Sequence, residues 1–294
     1  MVISWVDFSV KDCIKPFSLS LGEGDFLFLA GETYNDKLLR ALAGFLPKEC
    51  NFQDSIRING QRMKKNDAFR AMLLPKNAVE SFPPHRTIGD FALDLSPVGT
   101  TKKKLENYAA THGIEKHFLY SKPSKIPLPV LQKISLWIYS LNASSAIFVE
   151  EPEGGFLDDC RPFDFLQGLL KNGTTSCIVY STDEKDVVLE KASVMQFCTA
   201  RIAVFCSDRL VEEGVAARVL ENPIHSYTKE WFKVGSKGQR KNGSLWLYCP
   251  PDCQEQYNCP IKKIISPSLW DYEPDGSHKV ICKGFLSYMN QTLQ

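Results

Sequence analysis

The chain has 294 residues, of which 44% are hydrophobic and 23% charged; this excludes intrinsic disorder and suits one large α/β domain with a small appendix. A formal net charge of +1 gives no electrostatic case for a nucleic-acid partner. The longest apolar runs, such as 26–30 and 146–149, fall far short of the ~18 residues of a membrane span. The N-terminus MVISWVDFSV lacks the basic and apolar regions of a secretory signal, so a cytosolic location is expected.

In chain order, the β-rich opening Ile3–Val10 is expected to pair nearby. Phe26–Ala30 reads as a buried strand ending at Gly31, and Asp36–Phe45 carries helical spacing at Leu38, Leu39, Leu42 and Phe45, giving strand, turn, helix. Ser55–Gly60 predicts a short strand closing at a glycine turn. Lys102–His117 predicts a polar helix, interrupted by three prolines in Lys122–Pro129, and Val130–Leu141 an apolar-rich one. Ala146–Val149 and Cys177–Tyr180 are further buried strands, with a helix at Phe163–Leu170 between them. The alternation argues for a parallel sheet with crossover helices. Residues 235–244 turn to Gly, Ser, Lys and Asn, which marks a linker and a domain boundary near Phe232.

The most specific stretch is 201–229. Ser207-Asp208-Arg209-Leu210-Val211-Glu212-Glu213-Gly214 reads as a turn, and it is followed by Glu221-Asn222-Pro223-Ile224-His225-Ser226-Tyr227-Thr228. The pair resembles the segment after the last catalytic motif in ATP-binding subunits of bacterial ABC importers for dipeptides and oligopeptides. There the turn is Gly-Arg-Ile-Val-Glu-Glu-Gly, and the later block is Glu-Asn-Pro-x-His-Pro-Tyr-Thr. The resemblance implies a P-loop NTPase of α/β class. It would comprise an ABC-type nucleotide-binding domain over 1–232, with an inserted helical subdomain near 91–140, a linker at 233–244 and a Cys-rich extension at 245–294.

It also assigns roles residue by residue. A P-loop curls backbone N–H groups around phosphate, adds a lysine, and holds Mg²⁺ with a Ser/Thr hydroxyl at the helix start. Gly31-Glu32-Thr33-Tyr34-Asn35-Asp36-Lys37-Leu38-Leu39-Arg40 resembles the family's Gly-Glu-Ser-Gly-Ser-Gly-Lys-Ser-Thr loop and its helix. Two residues are missing and both inner glycines are replaced. With Lys37 as the phosphate lysine, Leu38 stands where the Mg²⁺ hydroxyl belongs; with the gap placed earlier, the lysine itself is lost. The slot of the adenine-stacking aromatic falls at Asp12. Thr87-Ile88-Gly89-Asp90 resembles a motif downstream of the Q-loop and puts Lys76 at the glutamine position, where it would repel the metal. Ile126-Pro127-Leu128-Pro129-Val130 occupies the Leu-Ser-Gly-Gly-Gln signature position without its serine or glycines. Ser145–Pro152 resembles Walker B, with Glu150 for the metal-linked Asp and Glu151 as general base. Asp158 takes the D-loop aspartate position and Thr182 that of the γ-phosphate-sensing histidine.

Cys249, Cys253, Cys259 and Cys282 resemble the cysteine tails of peptide-importer ATPases. Four thiolates suit a [4Fe–4S] cluster or tetrahedral zinc equally. The remaining cysteines are read as reduced, mostly buried thiols.

The resemblance therefore implies ATP and Mg²⁺ as cofactors, and as partners a second ABC ATPase subunit and membrane permease subunits of a peptide importer. The location would be cytoplasmic, on the inner face of the inner membrane. Three readings stay open: a subunit with weak or no hydrolysis of its own; an active divergent ATPase using Lys37, Glu150 and Glu151; and an adaptor or metal-cluster protein derived from an ABC domain.

Overall fold

A computed structural model describes residues 1–31, 35–46, 48–63, 69–152, 162–195, 198–206, 208–233, 270–271 and 278–280. The chain divides into two compact units, Met1–Asp67 with Ser181–Gln294, and Ala68–Tyr180.

The first unit opens with a hairpin of β1 (Ile3–Val10) and β2 (Ile14–Leu21). Alternation in β2, and in β1 a shift of register between Trp5 and Phe8 with Asp7 at φ +50°, put Trp5, Phe8, Phe17, Leu19 and Leu21 among the buried residues. β3 (Asp25–Ala30) is buried at all six positions, five of them the unbroken apolar run Phe26–Ala30. Helix α1 (Asn35–Leu42) buries Leu38, Leu39, Ala41 and Leu42. The Trp5 indole N–H donates to the Leu42 carbonyl at 3.1 Å, tying the end of this helix to β1. A helical turn, α2 (Phe52–Ser55), leads into β4 (Ile56–Ile58) and β5 (Gln61–Arg62). The strand expected over 55–60 is thus shorter, because Ser55 closes the helical turn and Asn59 and Gly60 take positive φ in the next one. These strands form an antiparallel sheet in the order β2-β1-β4-β5.

The second unit begins with β6 (Ala71–Leu74) and a 3-10 turn at Ala78–Ser81. Helices α3 (Ile88–Leu95), α4 (Lys102–Thr111), α5 (Lys116–Leu119) and α6 (Leu128–Ile138) follow, then β7 (Ser144–Glu150), α7 (Pro162–Lys171) and β8 (Thr175–Ser181). The expected continuous helix 102–117 is broken, since Gly113 at φ +65° stops α4 and the chain restarts at Lys116. Helix α6 starts two residues earlier than expected. Pro127 is its N-cap and Pro129 lies in its first turn, where a missing N–H costs no intrahelical bond. Leu105, Ala109, Leu119, Leu131, Ile134 and Trp137 centre an apolar core shared by these helices. The strands of this unit run in the order β8-β7-β6, with β6 and β7 parallel.

The first unit resumes with α8 (Lys185–Val194), β9 (Thr199–Cys206) and β10 (Arg209–Val215). Then come α9 (Ala216–Glu221), α10 (Ser226–Phe232), β11 (Trp270–Asp271) and β12 (His278–Val280). The order here is β11-β12-β10-β9-β3; β3 and β9 are parallel and the other pairs antiparallel. Residues 209–214, expected as a turn, form most of β10. Leu210, Glu212 and Glu213 pair across to β9, with buried Val211 at a shift of register between Leu210 and Glu212.

Candidate functional site

Of the expected site residues, Gly31, Lys37 and Thr182 belong to the first unit, and Lys76, Glu150 and Glu151 to the second. Glu32, Asp158 and the cysteines at 249, 253, 259 and 282 lie outside the described residues.

Gly31 ends β3 at φ +108°, and a Cβ there would lie 2.0 Å from the Phe205 carbonyl oxygen of the neighbouring β9. Glycine is therefore required by the close passage of two strands. Leu38, expected at the position of the Mg²⁺ hydroxyl if Lys37 is the phosphate lysine, is completely buried in the core of its unit. A hydrocarbon there offers no ligand oxygen. The Lys37 ammonium binds the Glu49 carboxylate at 2.8 Å. Glu49, then the neighbouring Cys13 thiol, holds the lysine above its ordinary pKa. Sequence reasoning missed Glu49, because a loop acid carries no motif. Asp12 takes φ +57° in the exposed β1–β2 turn, so a carboxylate stands in the aromatic slot.

Thr182 follows β8, and its N–H donates to the Leu29 carbonyl at 3.1 Å, which sets it beside the strand that ends at Gly31. The side chain is buried, and its hydroxyl accepts the Glu184 N–H at 2.9 Å. It thereby closes the turn into α8 in the manner of a local Ser/Thr motif.

In the second unit, Glu150 ends β7 fully buried, and its carboxylate accepts the Lys76 backbone N–H at 2.9 Å. The structure so brings two of the expected residues together, but through the lysine's main chain; the Lys76 side chain is exposed. Burial, helped by the Glu150 charge, pushes the Tyr139 phenol far above its usual pKa, and its hydroxyl donates to the Leu73 carbonyl. Tyr180 is raised in the same way by burial and by Glu151. Each carboxylate therefore faces a phenol held protonated. Residues 126–130 begin α6, with Leu128 half-exposed at its start. The two prolines at 127 and 129 remove amide donors from this helix end.

The segments around Thr87 and Glu212 make bonds within the fold. Thr87 caps α3, its hydroxyl accepting the Asp90 N–H at 3.2 Å and donating to the Asp90 carboxylate at 2.7 Å. A Cβ on Gly89 would lie 2.8 Å from the Leu119 carbonyl oxygen. Glu212 is fully buried, and it accepts the Ile224 N–H at 2.8 Å and the His225 N–H at 2.9 Å. It also accepts His278 Nε2 at 2.6 Å, so that this ring nitrogen carries the proton. His225 Nδ1 accepts the Tyr227 N–H and caps α10. Beside this group Arg201 pairs with Glu213 and, at 3.4 Å, with Asp25, whose pKa burial raises in spite of the arginine. Among the described residues no group of three or more His, Cys, Asp or Glu could hold a metal ion. No described helix is long and apolar enough to cross a membrane.

No protein-family model matches the chain. The ATP-binding protein CntD of the metal-staphylopine import system of Staphylococcus aureus (strain NCTC 8325) is 21% identical over 254 residues, which cover 80% of this chain and 90% of CntD. Its counterpart in strain Mu50 is 22% identical over 255 residues, with the same coverage. Among solved structures, an ATP-binding subunit of an ABC transporter superposes with a TM-score of 0.59 at 14% identity, over 75% of this chain and 92% of that one. The ATP-binding cassette MJ0796 bound to ADP and phosphate does so with a TM-score of 0.56 at 14% identity, over 74% and 99%. The chain has the α/β ABC ATPase cassette fold, that of P-loop NTPases.

Proposed function

We propose that this cassette is the ATP-binding subunit of an ABC importer, working with a second ATPase subunit and membrane permease subunits on the cytoplasmic face of the membrane. Its own hydrolysis is weak or absent, and its role in the transporter is structural or regulatory. The observation that carries this reading is Leu38: with Lys37 taken as the phosphate lysine, the position that would ligate Mg²⁺ is a leucine with no exposed surface. Lys37 engaged by Glu49, Thr182 engaged by its own turn, and Glu150 engaged by the Lys76 amide point the same way. The cassette fold is one that uses ATP and Mg²⁺, but these described residues do not fit that role, and no hydrolytic step is assigned to them.

The 201–229 resemblance supports dipeptides and oligopeptides as the cargo of that importer, and the similarity to CntD supports a metal–staphylopine complex as a second reading. The cysteines at 249, 253, 259 and 282 are proposed as ligands of an iron–sulfur cluster or zinc. Metal that persists in the purified chain after Cys282→Ser would remove that part.

The test is ATPase activity of the assembled transporter with Glu151→Gln in this subunit alone. Unchanged activity is expected; a large drop would establish the active, divergent ATPase instead.

A further inference from the structure

Residues 84–141 contain eight Lys and Arg against four Asp and Glu, a net +4 within a chain whose total is +1. Three of the four acids are matched by a cation, Asp90 with Lys102 at 3.5 Å, Asp94 with Arg86 and Glu106 with Lys116 at 2.8 Å, and Glu115 lies 3.3 Å from the His117 ring. Lys103, Lys104, Lys122 and Lys125 are exposed and form no ion pair among the described residues. Two of these lysines oppose their own helix. Lys102, Lys103 and Lys104 fill the first turn of α4, which contains no acid, so they crowd positive charge at the positive end of the helix dipole.

The loop before them is apolar at its tip. Thr100 closes a turn on the Pro97 carbonyl through its N–H at 3.1 Å and its hydroxyl at 2.8 Å, and this leaves Val98 completely exposed. The Ile88 N–H donates to the Ser121 carbonyl at 3.1 Å while Asp90 pairs with Lys102, so the first turn of α3 bonds to the residue before Lys122 and to the residue before Lys103. A cleft floored by Leu93, Leu105 and Leu119, with Tyr120 and Lys102 on its walls, opens there.

We infer that this surface of the helical region docks directly on an anionic lipid bilayer, with the unmatched lysines over the headgroup phosphates and Val98 entering the interface. Lysines on separate segments suit a spread of charge rather than one acidic side chain. A fully exposed valine among them gains by leaving water. This contact needs no permease and so goes beyond the subunit role proposed above.

The experiment is sedimentation of the full-length chain with vesicles of phosphatidylcholine alone and of phosphatidylcholine containing about one quarter phosphatidylglycerol. Binding to the anionic vesicles only is expected, and raising the salt toward ~1 M should abolish it. Each lysine removed should cost about fivefold, so Lys103→Gln with Lys104→Gln should weaken partitioning about 25-fold. Lys122→Gln with Lys125→Gln should do the same, and Val98→Asp should weaken it further. The glutamines relieve the dipole conflict in α4, so circular dichroism should show a retained fold and loss of binding will not reflect unfolding. Equal binding to neutral vesicles, variants that bind like the parent, or capture by soluble polyglutamate in preference to vesicles would each overturn the inference, the last in favour of an acidic protein partner.

Discussion

Glu212 is the residue whose removal should damage the fold most. It has no exposed surface, and its two oxygens accept from Ile224, His225 and His278 at 2.8, 2.9 and 2.6 Å. In Glu212→Ala two main-chain donors and an imidazole lose their acceptor inside the protein. At about 1–3 kcal/mol for each unsatisfied group, with a cavity besides, the loss is about 5 kcal/mol. That is comparable with the whole stability of an ordinary domain, ~5–15 kcal/mol. Glu212→Gln keeps the shape but presents one N–H₂ group to donors, and about 2–3 kcal/mol should be lost. His278→Ala leaves the carboxylate with its two amide donors and should cost about the same. Because the two residues share one hydrogen bond, the double variant should lose less than the sum of the singles by about 1 kcal/mol or more. Urea midpoints of the parent and the four variants give these differences. Hydrogen exchange at the Val280 amide, opposite Glu212 in register, reports whether β12 has come away from β10. Strict additivity, or Glu212→Ala within about 1 kcal/mol of the parent, would refute the reasoning.

Gly31→Ala combines a positive φ with a 2.0 Å clash against the Phe205 main chain, so β3 and β9 must separate. Loss of soluble protein, or a fall of about 3 kcal/mol or more in stability, is expected from such overpacking; near-parental stability would contradict it. Cys198 is pushed up to about 11, first by burial and then by the Asp25 charge. Its alkylation at pH 8 should therefore be about 100-fold slower than in the urea-unfolded chain and should climb steadily toward pH ~11. The neutral thiol is the form the fold favours, and the unfolded chain ionises first. Stability should accordingly fall as pH rises from about 8.5 toward 11, and alkylation at the unfolded rate would show the thiol is not held back. Thr182→Val removes the acceptor of the Glu184 N–H and should cost about 1 kcal/mol. No change would mean the hydroxyl is not part of the turn.

The fold was legible where a sequence pattern coincides with a physical need. Five apolar residues in a row, Phe26–Ala30, predict β3, and the structure extends it by one residue to Asp25. The 207–214 segment reads in sequence as a turn, whereas 209–214 lie in β10. Its glutamates suggest solvent, yet Glu212 and Glu213 are buried by partners that come from 224–225, 278 and 201, distances in sequence that no local pattern reveals. The same partners explain why Glu-Glu-Gly, Asn-Pro-x-His and the His278 strand occur together: one carboxylate holds all three. At the candidate site, Glu150 and Lys76 were legible as positions, but not the main-chain bond between them, and Glu49 was invisible. On the proposed reading the motifs that persist are those the fold needs for its own bonds, and those that have lapsed serve only phosphate and Mg²⁺.

Equilibrium binding of Mg-ATP to the purified full-length chain tests that central claim most directly. The account predicts no saturation up to several millimolar, roughly −3 kcal/mol or weaker. Saturable binding below about 1 mM would contradict it and show that the altered loop still cradles phosphate.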